Sequence, residues 1–109
     1  MSWVTDVLLV FNLGELYDDQ DEPLEEVFPL NNINAWLQKH RKGTLDNLNE
    51  HVSSGGKAMQ ACVYGGAFNF LKIDEFIEVV KLQPWKEPQN VQLLIHDEED
   101  ERFTLYTLS

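Results

Sequence analysis

A chain of 109 residues with 43% apolar and 25% charged side chains has the make-up of one ordinary globular domain, residues 1–109, with room for a single core. Nineteen acidic residues against eight Lys and Arg set a formal charge of −11, which repels phosphate backbones and anionic lipid surfaces and attracts cationic partners. Direct nucleic-acid binding is disfavoured on that ground, and no run approaches the roughly 20 apolar residues of a membrane span.

Trp3 to Phe11 is dense in Val and Leu, with Val7, Leu9 and Phe11 on one alternating face and Leu8 and Val10 on the other. This pattern predicts an interior strand covered on both sides. Gly14 then opens an acidic loop from Glu15 to Glu26, with Pro23 inside it and Pro29 closing the stretch, so no regular element is expected to cross it intact. Leu30, Ile33 and Leu37 follow at helical spacing, with Trp36 widening the stripe. Asn31 or Asn32 is placed to cap the start of this helix and Gly43 to end it. Residues 44–52 admit either a short helical turn or a brief edge strand.

After Ser53–Gly56, the run Ala58–Tyr64 reads as a strand, with Gly65 and Gly66 at its end as a hairpin signal. Ala67–Leu71 then either returns as a strand or leads directly into the next helix. That helix is well marked: Ile73, Phe76, Ile77 and Val80 share one face, Asp74 and Glu75 lie in the first turn, Lys81 in the last, and Pro84 stops it. Trp85, flanked by Pro84 and Pro88, is expected either to fix the following turn against the core or to lie on the surface as an interface anchor. Val91–Ile95 and Arg102–Leu108, joined by the loop His96–Glu101, are expected to pair as an antiparallel hairpin. In its second strand Phe103 and Leu105 alternate with Thr104 and Tyr106, which predicts one wet face and an edge position. The resulting fold class is α+β: a mostly antiparallel sheet of four to five strands with two helices packed on one face.

Twelve of the nineteen acids fall in two patches, Glu15–Glu26 and Asp97–Glu101. The bland reading is solubility. The functional reading is a partner-binding surface formed by Tyr17, Asp18, Asp19, Asp21 and Glu22 with Asp97, Glu98, Glu99 and Asp100, provided that both loops meet on one rim of the sheet. Carboxylates there steer a basic protein and the Tyr17 ring supplies contact area. Calcium binding is the rival, but an EF-hand counted from Asp19 puts Leu24 where glycine belongs and Leu30 where the bidentate acid belongs. No metal or cofactor is therefore expected.

Cys62, the single cysteine, lies in an apolar strand pattern, where a buried structural thiol is simpler than a nucleophile paired with His40, His51 or His96. One Cys and three scattered His show no zinc spacing. Gly55–Gly56–Lys57 and Gly65–Gly66 match no phosphate-binding fingerprint. A lone thiol, together with an opening Met-Ser-Trp-Val-Thr-Asp that has no basic leader, leads to the expectation of a cytoplasmic protein.

In size, acidity and single-domain α+β build, the chain resembles the small cytoplasmic immunity proteins that bacteria use against their own or their neighbours' toxins. The resemblance rests on composition and architecture and carries no diagnostic motif. It implies a non-enzymatic inhibitor that engages a basic protein. A DNA mimic is a variant that needs an elongated charge array. The alternatives are a small metal- or carboxylate-dependent enzyme and a homodimer built through a sheet edge such as Arg102–Leu108.

Overall fold

A computed structural model describes residues 3–18, 20, 22–24, 26–48 and 61–108. Among them the chain forms strands β1 (Val4–Asn12), β2 (Asp46–Asn47), β3 (Ala61–Asn69), β4 (Gln92–Asp97) and β5 (Thr104–Thr107), and helices α1 (Phe28–Lys39) and α2 (Ile73–Lys81). The strands make one sheet in the order β2-β3-β1-β4-β5, and every neighbouring pair is antiparallel. This is the α+β arrangement expected from the sequence.

The alternation of β1 decides which side of the sheet is the core. Val7, Leu9 and Phe11 are buried, and the register sets Tyr64 and Leu93 beside Leu9, and Cys62 beside Phe11, on the same face. Leu30, Ile33 and Leu37 of α1 and Phe76, Ile77 and Val80 of α2 join these strand residues in one cluster, so both helices cover that face. Asn32 Nδ2 donates to Gln83 Oε1 at 2.9 Å and the Trp36 ring lies 6.0 Å from that of Phe76, which sets the two helices antiparallel. Leu8, Val10, Leu94 and Leu105 occupy the other face; the first three are half-buried.

Several local expectations change. The glycine pair does not turn the chain: β3 runs through Gly65 and Gly66 to Asn69, opposite Leu8 and Val7. A Cβ on Gly65 would come within 2.9 Å of Leu8 Cδ2 and 3.0 Å of both Leu48 Cδ1 and the Val7 carbonyl oxygen, so the glycine provides room for close packing. The open segment resolves in its described part as the two-residue edge strand β2, and residues 58–60 of the expected strand lie outside the described residues.

Helix α1 starts at Phe28, ahead of both expected asparagine caps, with Pro29 in its first turn and Val27 at the N-cap. Its end is set by Arg41, not Gly43. Arg41 has φ 58°, its N–H donates to the Gln38 carbonyl at 3.0 Å, and the Lys42 N–H donates to the Leu37 carbonyl at 2.8 Å. These two bonds make a Schellman ending with arginine in the left-handed position. Helix α2 matches its expected bounds. Trp85 is buried, donating from Nε1 to the Val80 carbonyl at 2.8 Å and thereby fixing the turn after α2.

At the sheet edge β5 presents the opposite face from the one that its apolar alternation suggests. Tyr106 sits beside Leu93 on the helix side, whereas Leu105 is 52% exposed on the other. Two helices already fill the core face, so the short outer strand adds only Tyr106 to it. Among the described residues no helix is long and apolar enough to cross a membrane.

Candidate functional site

The first acidic patch begins where β1 ends, and the chain there is held at several points. Asn12 Oδ1 accepts the Gly14 N–H at 3.0 Å and starts a 3₁₀ turn over Leu13–Leu16. This turn points Glu15 inward. Its carboxylate, in a residue only 3% exposed, accepts the backbone N–H groups of Lys86 at 3.0 Å and Glu87 at 2.8 Å, tying the loop to the segment between α2 and β4. Glu15 is thus a buried strut, not part of a solvated run.

Beyond it the loop folds back on itself. The Leu24 N–H donates to the Leu16 carbonyl at 2.8 Å, Tyr17 and Pro23 form an antiparallel bridge, and the Asp18 N–H donates to the Glu22 carbonyl at 2.9 Å. Asp18 Oδ1 accepts the N–H groups of Glu22 at 2.9 Å and Gln20 at 2.8 Å. Those two backbone bonds, first that from Glu22 and then that from Gln20, hold the Asp18 carboxyl below its ordinary pKa, with a smaller contribution from the Lys86 charge. Lys86 Nζ also donates to the Tyr17 carbonyl. Among the described residues of the loop, Tyr17, 39% exposed, Gln20, Glu22, Pro23 and Glu26 face solvent. Asp19 and Asp21, both expected site residues, lie outside the described residues.

The second patch is tied to the start of β1 through Asp97 and Glu98. Asp97 Oδ1 accepts Trp3 Nε1 at 2.6 Å and Thr5 Oγ1 at 2.8 Å; Thr5 is fully buried. Asp100 Oδ2 accepts the Asp97 N–H at 3.1 Å, the Asp100 N–H returns to the Asp97 carbonyl at 2.9 Å, and Glu98 Oε1 accepts the Val4 N–H at 3.2 Å. Of the four expected partner residues here, Asp97 and Glu98 fasten the turn to the start of β1 and Asp100 closes the turn on Asp97, while Glu98, Glu99 and Asp100 are all exposed.

Register then separates the two patches. Thr5 of β1 is opposite Asp97, whereas the first patch follows Asn12 at the other end of the strand. Seven residues of strand are about 23 Å at ~3.3 Å per residue. The acidic loops therefore stand at opposite ends of the sheet, and the single rim on which they were expected to meet does not form, because β4 runs antiparallel to β1.

A third acidic surface lies between the helices. Trp36 of α1 and the C-cap residue His40 are one turn apart, and Asp74, Glu75 and Glu78 lie within the first two turns of α2; together they line a shallow groove of about 480 Å³. The Trp36 and His40 rings are 4.3 Å apart between centroids. Trp36 is half-buried and the three acids are exposed. The spacings 36/40 and 74/75/78 each put their residues on one helix face, which the sequence shows. That the two faces adjoin is a property of the antiparallel helix pair.

The remaining candidates sit apart from one another. Cys62 is buried beside Phe11, and burial pushes its thiol pKa up, away from the thiolate that nucleophilic chemistry requires. His96 Nδ1 is 3.4 Å from Asp6 Oδ2 on the face turned away from the helices, with its ring 5.3 Å from that of Phe103. His40 belongs to the groove, and His51 lies outside the described residues. Among the described residues no three His, Cys, Asp or Glu side chains are grouped to hold a metal ion. No family model, curated protein or solved structure matches this chain.

Proposed function

We propose that this chain is a non-enzymatic acidic binding protein that engages a basic protein partner through the loop after β1, in the manner of a small immunity-type inhibitor. The observation that carries the reading is the order of that loop. Charges that serve solubility alone need no fixed geometry, and fixing backbone costs roughly 1–2 kcal/mol per residue. Here Glu15, the Tyr17–Pro23 bridge and the two backbone bonds to Asp18 hold Tyr17 and Glu22 in place before any partner arrives. Such preorganisation lowers the entropic cost of binding. The opposite patch contributes to the long-range field that steers a cationic partner, since three of its carboxylates already serve the fold.

The test is a titration against a basic partner recovered on the immobilised protein. Glu22→Lys, alone and combined with Asp19→Lys and Asp21→Lys, is expected to weaken binding at least about tenfold, and Tyr17→Ala by a similar factor. Affinity is also expected to fall between about 50 and 300 mM salt. Binding that survives the triple charge reversal would eliminate this surface.

A homodimer through β5 is a second reading, favoured by one feature. β5 is the outer strand of the sheet and no acid lies between Phe103 and Leu108, so this edge is neutral in a strongly anionic chain. Salt separates the two readings: self-association of like-charged copies strengthens as salt rises, whereas capture of a basic partner weakens. Sedimentation across a salt series that shows only monomer would dispose of the dimer.

A further inference from the structure

We propose that the groove between α1 and α2 is a receptor for a single arginine side chain of the basic partner. The site is distinct from the loop after β1, and the proposal rests on the reading that the partner is basic. Three properties select this occupant.

The wall contributed by α1 is aromatic: Trp36 is half-buried, its ring stands 4.3 Å from that of His40 and it is backed by Phe76 at 6.0 Å. Tryptophan is the side chain that attracts a cation most strongly, and here it lines the groove together with the His40 ring. The wall contributed by α2 is anionic, with Asp74, Glu75 and Glu78 all lining the same groove. Asp74 and Glu75 also complement the N-terminal dipole of α2, but Glu78 lies beyond the first turn, so the dipole does not account for the whole group.

The third property is that these charges are unspent within the fold. Among the described residues, no ion pair or side-chain hydrogen bond takes up any of the three carboxylates. Guanidinium matches the combination because it is planar, permanently charged and weakly hydrated, and it offers five donors while its plane rests on an aromatic ring. Lysine matches the charge but not the stacking surface. A carboxylate, a phosphate or an uncharged aliphatic chain would meet three like or unmet charges.

The experiment is an NMR titration of the full chain with the peptide acetyl-Gly-Arg-Gly-amide, and in parallel with its citrulline counterpart, which keeps the planar shape and loses the charge. The arginine peptide is expected to move the Trp36 indole signal and the backbone amides of residues 74–78 saturably, with the Trp3 and Trp85 indoles unmoved. The citrulline peptide is expected to leave them in place. A D74N/E75Q/E78Q variant, altered only at exposed positions, is expected to keep the Trp3 and Trp85 signals and lose at least about fivefold in affinity.

Equal shifts with citrulline, no shift at the groove, or full affinity in the triple variant would each overturn the site. The outcomes also separate this site from the loop. If the loop charge reversals abolish partner binding while arginine leaves the groove signals still, the groove fails and the loop surface stands. If arginine moves the groove signals and the loop reversals change nothing, the groove stands and the loop surface fails.

Discussion

Glu15 turns its carboxylate onto the backbone N–H groups of Lys86 and Glu87, whereas Glu22, further along the same acidic run, is exposed. Composition treats these residues alike, and only their partners distinguish them. Removing the first leaves two part-buried backbone donors without their acceptor and an empty space at a buried position, and an unmet donor costs up to about 1–3 kcal/mol. Glu15→Ala is therefore expected to destabilise the fold by roughly 2 kcal/mol or more. Glu22→Ala is expected to stay within about 0.5 kcal/mol of the parent. Urea unfolding of both variants checks the contrast, and equal stabilities would show that Glu15 is not a strut. Asp97 follows the same logic at the other end, since its Oδ1 satisfies Trp3 and the buried Thr5. A sequence reading had no means of separating such residues from their exposed neighbours. The signal is a donor 71 or 92 residues away along the chain.

Elements were legible wherever a period is strong and failed wherever a turn signal had a second physical use. The 3.6-residue repeat of Ile73, Phe76, Ile77 and Val80 gave α2 its correct bounds, and the two-residue repeat of Val7, Leu9 and Phe11 gave the core face of β1. Gly65–Gly66 misled, because a glycine pair serves a hairpin through its dihedral freedom and a packed strand through its missing Cβ. Here the second use applies. Gly65→Ala puts a methyl group 3.0 Å from the Val7 carbonyl oxygen, a backbone atom that cannot swing aside, as well as 2.9 Å from Leu8 Cδ2. A cost of about 1–3 kcal/mol is expected. Denaturant unfolding of this variant measures it, and a neutral result would return the pair to the role of a turn. The ending of α1 shows a related limit. Gly43 is the residue type that favours a left-handed C-cap and does have φ 97°, but the chain turns two residues earlier at Arg41, once the hydrophobic stripe has ended at Leu37.

Across the whole molecule, the two acidic patches at opposite ends of β1 stand farther apart than the Debye length of about 8 Å at physiological salt. Their mutual repulsion is thus screened under those conditions and felt more strongly in dilute buffer, where the Debye length reaches about 30 Å. With a formal charge of −11 and, among the described residues, no Lys or Arg side chain within salt-bridge distance of a carboxylate, stability is expected to rise as salt increases from about 10 to 150 mM. A gain of roughly 4 °C in Tm for each kcal/mol of repulsion relieved is the scale to look for by calorimetry. A fall in Tm over that range would mean that attractive pairs dominate. The sequence by itself determined the charge, the α+β class, the helices and the core stripes, because composition and periodicity are local properties that each segment carries alone. Tertiary structure decided that the patches face apart, that Glu15 and Asp97 work inside the fold, and that Trp36 and His40 meet Asp74, Glu75 and Glu78 across a groove. Those outcomes follow from strand register and helix direction, and both are set by contacts between segments distant in the chain.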